Sequence, residues 1–147
     1  FSSKDEFLHK VICDIMSDLL EIIDRALEDS SNPVDRLHIY VRTMVKWHCE
    51  RRKEAYVSHR EFKSLPKAGY EEVRLLRKRF ELILGDIVEK GCVSGDFTVT
   101  SREVTVVAIL NMLTNISTWY RSNGPKSVDQ LASIYEELIE NMLQLKR

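Results

Sequence analysis

Apolar residues recur at helical spacing along almost the whole chain. In residues 127–145, Val128, Leu131, Ala132, Ile134, Tyr135, Leu138, Ile139, Met142, Leu143 and Leu145 fill roughly half of a helix circumference when wound at about 100° per residue. A helix packing on one core needs a stripe only a little over ~100° wide. The excess predicts two partners, its own domain on one flank and something else on the other. Ser127 and Gln130 are spaced as a capping box that starts this helix. The helix before it, 101–120, carries no charge from Val104 to Tyr120, so no flank of it is suited to water. Thr105, Asn111, Thr114, Asn115, Ser117 and Thr118 make it too polar to span a membrane. Such a helix is expected inside a bundle, in a subunit contact or beside a ligand cavity.

Earlier in the chain the same period continues. Ser3-Lys4-Asp5-Glu6 reads as a second capping box, with acids where the helix dipole favours them. The helix it opens is expected to reach about Glu28, a span of about 39 Å. Asn32 and Pro33 suit the cap and first position of a second helix, running to about Arg52. Its inner arc is Leu37, Tyr40, Val41, Met44, Val45, Trp47 and His48. Residues 50–66 predict a short charge-rich helix stopped by Pro66. Residues 67–90 predict a third long helix with an inner stripe of Tyr70, Val73, Leu76, Phe80, Ile83, Leu84, Ile87 and Val88, ended by Gly91 in the left-handed conformation. Nothing alternates like a strand for more than a few residues. The expectation is an all-α antiparallel bundle of about five to six helices.

Composition narrows the function. The 147 residues suit one domain. With 22 Lys and Arg against 23 Asp and Glu, the chain by itself is no general polyanion binder. Three cysteines without paired spacing read as free thiols in a reducing compartment, and with no signal or membrane segment in view the expected location is the cytoplasm. His9, His38, His48 and His59 lack the i, i+4 pairing of a zinc helix, and no phosphate loop, nucleophile elbow or CxxC occurs. The reading is therefore not an enzyme, with no catalytic residue, metal or cofactor assigned.

Phe1-Ser2-Ser3-Lys4-Asp5-Glu6-Phe7-Leu8 resembles the join at which the DNA-binding head of TetR-family repressors passes into the regulatory domain. His59-Arg60-Glu61-Phe62-Lys63-Ser64-Leu65-Pro66 and the turn Asn115-Ile116-Ser117-Thr118-Trp119-Tyr120-Arg121-Ser122-Asn123-Gly124-Pro125 are similar to one subgroup, the regulators of fatty-acid and steroid-ring breakdown. The resemblance implies a ligand-binding and dimerisation domain over residues 1–147, with operator DNA read by an N-terminal helix-turn-helix that this chain does not include. It implies a homodimer through the last two long helices, and a small hydrophobic effector, in this subgroup typically an acyl-CoA. The first helix would act as the lever between effector and DNA.

Mapped onto the helices, the expected effector residues are Tyr40, Met44, Trp47, Phe80, Ile83, Met112, Asn115, Trp119 and Arg121, with Arg52, Arg60 and Lys126 as candidate phosphate contacts. Val128, Leu131, Tyr135, Leu138 and Met142 are the expected subunit contact. The rival reading is a helical adaptor dimer with no small-molecule effector, in which Asn111, Asn115 and Thr118 serve as interface polar contacts.

Overall fold

The computed structural model describes residues 3–147. Helices α1 (Ser3–Leu27), α2 (Pro33–Glu50) and α3 (Arg52–Glu61) are followed by a 3-10 turn at Phe62–Ser64, and then by α4 (Lys67–Ser94), α5 (Arg102–Thr114), α6 (Ile116–Trp119) and α7 (Val128–Met142). With α5 and α6 taken as one interrupted helix, this is the expected all-α bundle of six, and no strand occurs among the described residues. No described helix is long and apolar enough to cross a membrane. The opening octapeptide lies partly outside the described residues, at Phe1 and Ser2, and Ser3, the expected cap of α1, is already helical.

Caps define the ends where the sequence offers them. Asn32 accepts from the backbone N–H groups of Val34 and Asp35 (2.9 and 3.2 Å), so two orphan donors of α2 are satisfied. Ser127 and Gln130 form the full reciprocal capping box of α7. Across the bundle α2 runs antiparallel to α1, α4 and α7. The His38–Glu140 hydrogen bond and the Arg42–Glu136 ion pair fix α2 on α7. The Tyr40 hydroxyl donates to the Phe80 carbonyl at 3.0 Å, joining α2 to α4 inside the core.

The structure corrects two helix ends and one burial expectation. Gly91 does not stop α4; the helix continues to Ser94, and Gly95 takes the left-handed cap at φ 84°. Gly91 serves packing instead, since a Cβ there would overlap the Phe97 ring. The Phe97 N–H donates to the Gly91 carbonyl at 3.0 Å, which folds the crossover back onto the helix. The uncharged helix 101–120 breaks at Asn115. There Thr114 and Thr118 hydroxyls donate to the Leu110 and Asn115 carbonyls (2.9 and 2.7 Å), and this side-chain competition for backbone acceptors bends helices. That helix is also not wholly buried: Val106, Ile109 and Leu113 enter the core, while Val104 stays 68% exposed.

The close approach at Gly91 yields a test. Gly91→Ala is expected to lower stability by about 1–3 kcal/mol, the usual cost of overpacking, as read from the urea midpoint. An unchanged midpoint would show that Phe97 yields without cost.

Candidate functional site

Between α1, α2, α4 and α5 lies a cavity of about 370 Å³. Met16, Leu19, Met44, Phe80, Val107 and Leu110 supply its apolar walls. Arg74, Lys78 and Glu81 add charged groups to its lining, and it also meets His48, His59, Arg77, Asn111 and Thr114. A wider groove of about 920 Å³ begins at four of those same residues, His59, Arg77, Asn111 and Thr114, and opens past Arg60, Lys63, Asn115 and Trp119. The two spaces therefore adjoin, with an apolar floor and a polar throat. The charged residues lining the outer groove are Arg60, Lys63 and Arg77, all cations.

The throat is held by a relay of hydrogen bonds whose directions can be worked out from its ends. Arg77 Nη1 can only donate, so His59 Nδ1, 2.7 Å away, accepts. The Met44 carbonyl can only accept, so His48 Nδ1, at 2.7 Å, donates. Between them the two Nε2 atoms are 3.0 Å apart; with both rings neutral, His59 carries the bridging proton and His48 accepts it. The rings lie parallel with centroids 5.3 Å apart. Burial drives the pKa of both below the ordinary histidine range. At His48 the bond to Met44 opposes that shift and Arg77 reinforces it; at His59 both His48 and Arg77 reinforce it.

Arg77 is the unusual member. Its guanidinium packs 4.4 Å over the Phe62 ring, and its other partner is the neutral His59. No carboxylate among the described residues pairs with it, whereas the neighbouring rim cations do have acids: Arg74 with Glu71 at 3.0 Å and Lys78 with Glu81 at 2.6 Å. Burial alone lowers the Arg77 pKa. A half-buried cation with no carboxylate partner leaves this site with uncompensated positive charge.

Residues 30–143 match the family model described as Tetracyclin repressor-like, C-terminal domain. The chain belongs to this family. All of it superposes on 77% of a bacterial regulatory protein of the TetR family from Rhodococcus RHA1, with a TM-score of 0.91 and 26% identity. It likewise covers 79% of the TetR-family transcriptional regulator PfmR from Thermus thermophilus, at 0.84 and 26%. The fold is also that of AibR, seen in complex with isovaleryl coenzyme A and operator DNA: TM-score 0.87, 18% identity, 99% of this chain and 78% of AibR covered. Among curated proteins no sequence matches.

Against this TetR-like site the expected residues divide. Met44 and Phe80 line the inner cavity, and Met112, Asn115, Trp119 and Arg60 line the groove. Tyr40 is spent in the core on the Phe80 carbonyl. Trp47 is buried, with its indole Nε1 unpartnered, and lines neither space. Ile83 faces a separate depression with Leu27 and Arg36, at the other end of α4's stripe. After α6 the backbone turns extended at Tyr120 (ψ 139°) and carries Arg121 into a different groove, beside Arg52 and Glu50. Lys126 lies farther along that excursion with Asp129 and Ser133.

Neither Arg77 nor His59 is among the effector residues expected from the sequence, although a signal for both exists. Arg77 occupies a core position of α4, four residues after Val73 and three before Phe80, both buried. His59 follows the fully buried Ala55 and Ser58 on the inward side of α3.

The relay predicts a pH dependence. Because both folded pKa values are depressed, the unfolded chain binds more protons below about pH 6.5. This contribution is complete above that pH and is lost as pH falls, with a slope of up to about 2.7 kcal/mol per pH unit for two histidines. Urea unfolding between about pH 7 and 5 measures it, and His48→Gln/His59→Gln should flatten the curve. An equally steep curve in the double variant would place the linkage elsewhere.

Proposed function

We propose that the chain is the effector-sensing and dimerisation domain of a TetR-like transcriptional regulator whose effector is an amphipathic anion, with fatty acyl-CoA as the leading class. One observation carries the reading: a cavity with largely apolar walls opens past Arg77, a half-buried cation with no carboxylate partner, into a groove whose charged residues are all cations. The volume falls within the range usual for small-ligand sites. An acyl chain suits the floor between Met44 and Phe80, and the anionic portion suits Arg77, Arg60 and Lys63. The isovaleryl coenzyme A bound by AibR adds support from a protein of the same fold.

In this reading operator DNA is contacted by an N-terminal domain outside these residues. Effector binding shifts α1, which contributes Met16 and Leu19 to the cavity wall, and α1 transmits the shift to that domain. The homodimer forms on the outer flank of α7. Of the residues expected there, Leu131 and Tyr135 are buried within the chain itself. Leu138 is 46% exposed, and Ile134, one turn before it, is exposed too; Val128 and Met142 lie at the edge of the core.

Thermal denaturation with CoA, a series of acyl-CoAs and the matching free acids tests the effector. Affinity should rise by up to about 0.8 kcal/mol per added methylene until the cavity is full, and a ligand at ~100 times its Kd should add about 2.7 kcal/mol. Arg77→Met should weaken the best ligand about tenfold or more, as expected for losing a charge-assisted bond of about 1.5–3 kcal/mol. If nothing in the series stabilises the chain, the effector reading fails. The assembly has its own test: the wild type should sediment as a dimer at micromolar concentration and Leu138→Glu as a monomer. A monomeric wild type contradicts the interface.

A further inference from the structure

Where α1 crosses the start of α4, His9 and Cys13 stand one helical turn apart on α1 and Glu72 reaches across from α4. His9 Nε2 is 2.7 Å from Glu72 Oε2, and one donor atom from each of His9, Cys13 and Glu72 lies within 4.8 Å of the others. We propose that these three side chains form a binding site for a borderline-soft divalent transition metal, of which zinc is the fitting class.

The donor set decides the metal. An imidazole, a thiolate and a carboxylate together suit zinc and its cobalt surrogate, whereas calcium and magnesium take oxygen ligands. Zinc bonds of about 2.0–2.3 Å place tetrahedral donors roughly 3.3–3.8 Å apart, so side-chain rotations of about 1 Å gather these around one ion. The fourth position belongs to water or to Asp5, one turn before His9 on the same face of α1. On binding, the Cys13 S–H bond breaks, a Cys13 S–metal bond forms and one proton leaves to solvent. The dication then balances the thiolate and the Glu72 carboxylate, with His9 neutral. Access is open, because the Glu72 side chain is 62% exposed, and Lys10 is turned to Asp14 at 3.1 Å.

The site has a structural consequence. The pairs His9–Glu72 and Asp24–Arg79 show that α1 and α4 run in the same direction. A metal at His9, Cys13 and Glu72 would clamp their leading ends together. His9 and Cys13 share the i, i+4 spacing of a zinc-binding histidine pair. None of His9, Cys13 and Glu72 lines the effector cavity, so the metal site is independent of the effector.

The test is a cobalt titration of the 147-residue chain under a non-coordinating reductant. One equivalent of Co²⁺ should produce tetrahedral ligand-field bands and a thiolate-to-cobalt charge-transfer band, both removed by Zn²⁺. Cys13→Ser should abolish the charge-transfer band, and Glu72→Gln, a largely exposed change that leaves the helices intact, should weaken cobalt binding about tenfold or more. Cys49→Ser and Cys92→Ser should leave the spectrum unchanged. The proposal is overturned by the absence of a saturable spectrum, by a charge-transfer band that survives Cys13→Ser, or by an affinity indifferent to Glu72→Gln.

Discussion

The structure depends on how one half-buried cation is accommodated. Arg77 enters the bundle at a position where α4 otherwise presents Val73 and Phe80, and the protein surrounds it with an aromatic ring and a neutral imidazole. That choice fixes the tautomers of His59 and His48 and ends on the Met44 carbonyl. Three helices are thereby registered against one another by polar contacts that tolerate little displacement. The relay supplies acceptors to Arg77 but no negative charge, so a positive potential persists where the apolar cavity meets the groove. In a low-dielectric setting such a potential favours an anion far more than the same charge would on the surface.

The surrounding fold keeps that site partly open. The break at Asn115 stops α5 beside the throat, and the short α6 lays Trp119 along the groove, half exposed. An uninterrupted helix would have carried this wall onward in line with α5. The hydroxyls that make 101–120 polar are largely spent on nearby carbonyls around the break. These bonds shape the local backbone. Meanwhile α7 splits its apolar arc: Leu131, Ala132, Tyr135 and Ile139 join the core, and Ile134 and Leu138 do not.

Helices were legible because burial follows a 3.6-residue period, and the caps at Asn32 and Ser127 depend on adjacent residues alone. Gly91 was misread because its role comes from Phe97, whose approach across the crossover leaves no local mark. The site was half legible. Met44, Phe80, Asn115 and Trp119 are large or polar residues on arcs that three helices must share. Arg52, Arg60, Arg121 and Lys126 are alike in charge, but Arg121 meets Arg52 in a groove apart from Arg60, and the extended backbone after Trp119 carries Lys126 to yet another face. Arg77 was hidden by the opposite habit, since an arginine between apolar neighbours is read as a surface residue until its partners are seen.

The central claim is that neutral histidines leave Arg77 to be completed by a ligand anion. Nitrogen-15 NMR of histidine-labelled protein tests it directly, because ring-nitrogen shifts distinguish both tautomers from the charged form. At neutral pH the account predicts His48 protonated on Nδ1 and His59 on Nε2. On saturation with an acyl-CoA, the His59 Nδ1 resonance should move while that of His38, on the far side of α2, stays in place. A charged imidazole at either His48 or His59, or a His59 resonance untouched by a ligand that binds, would contradict it.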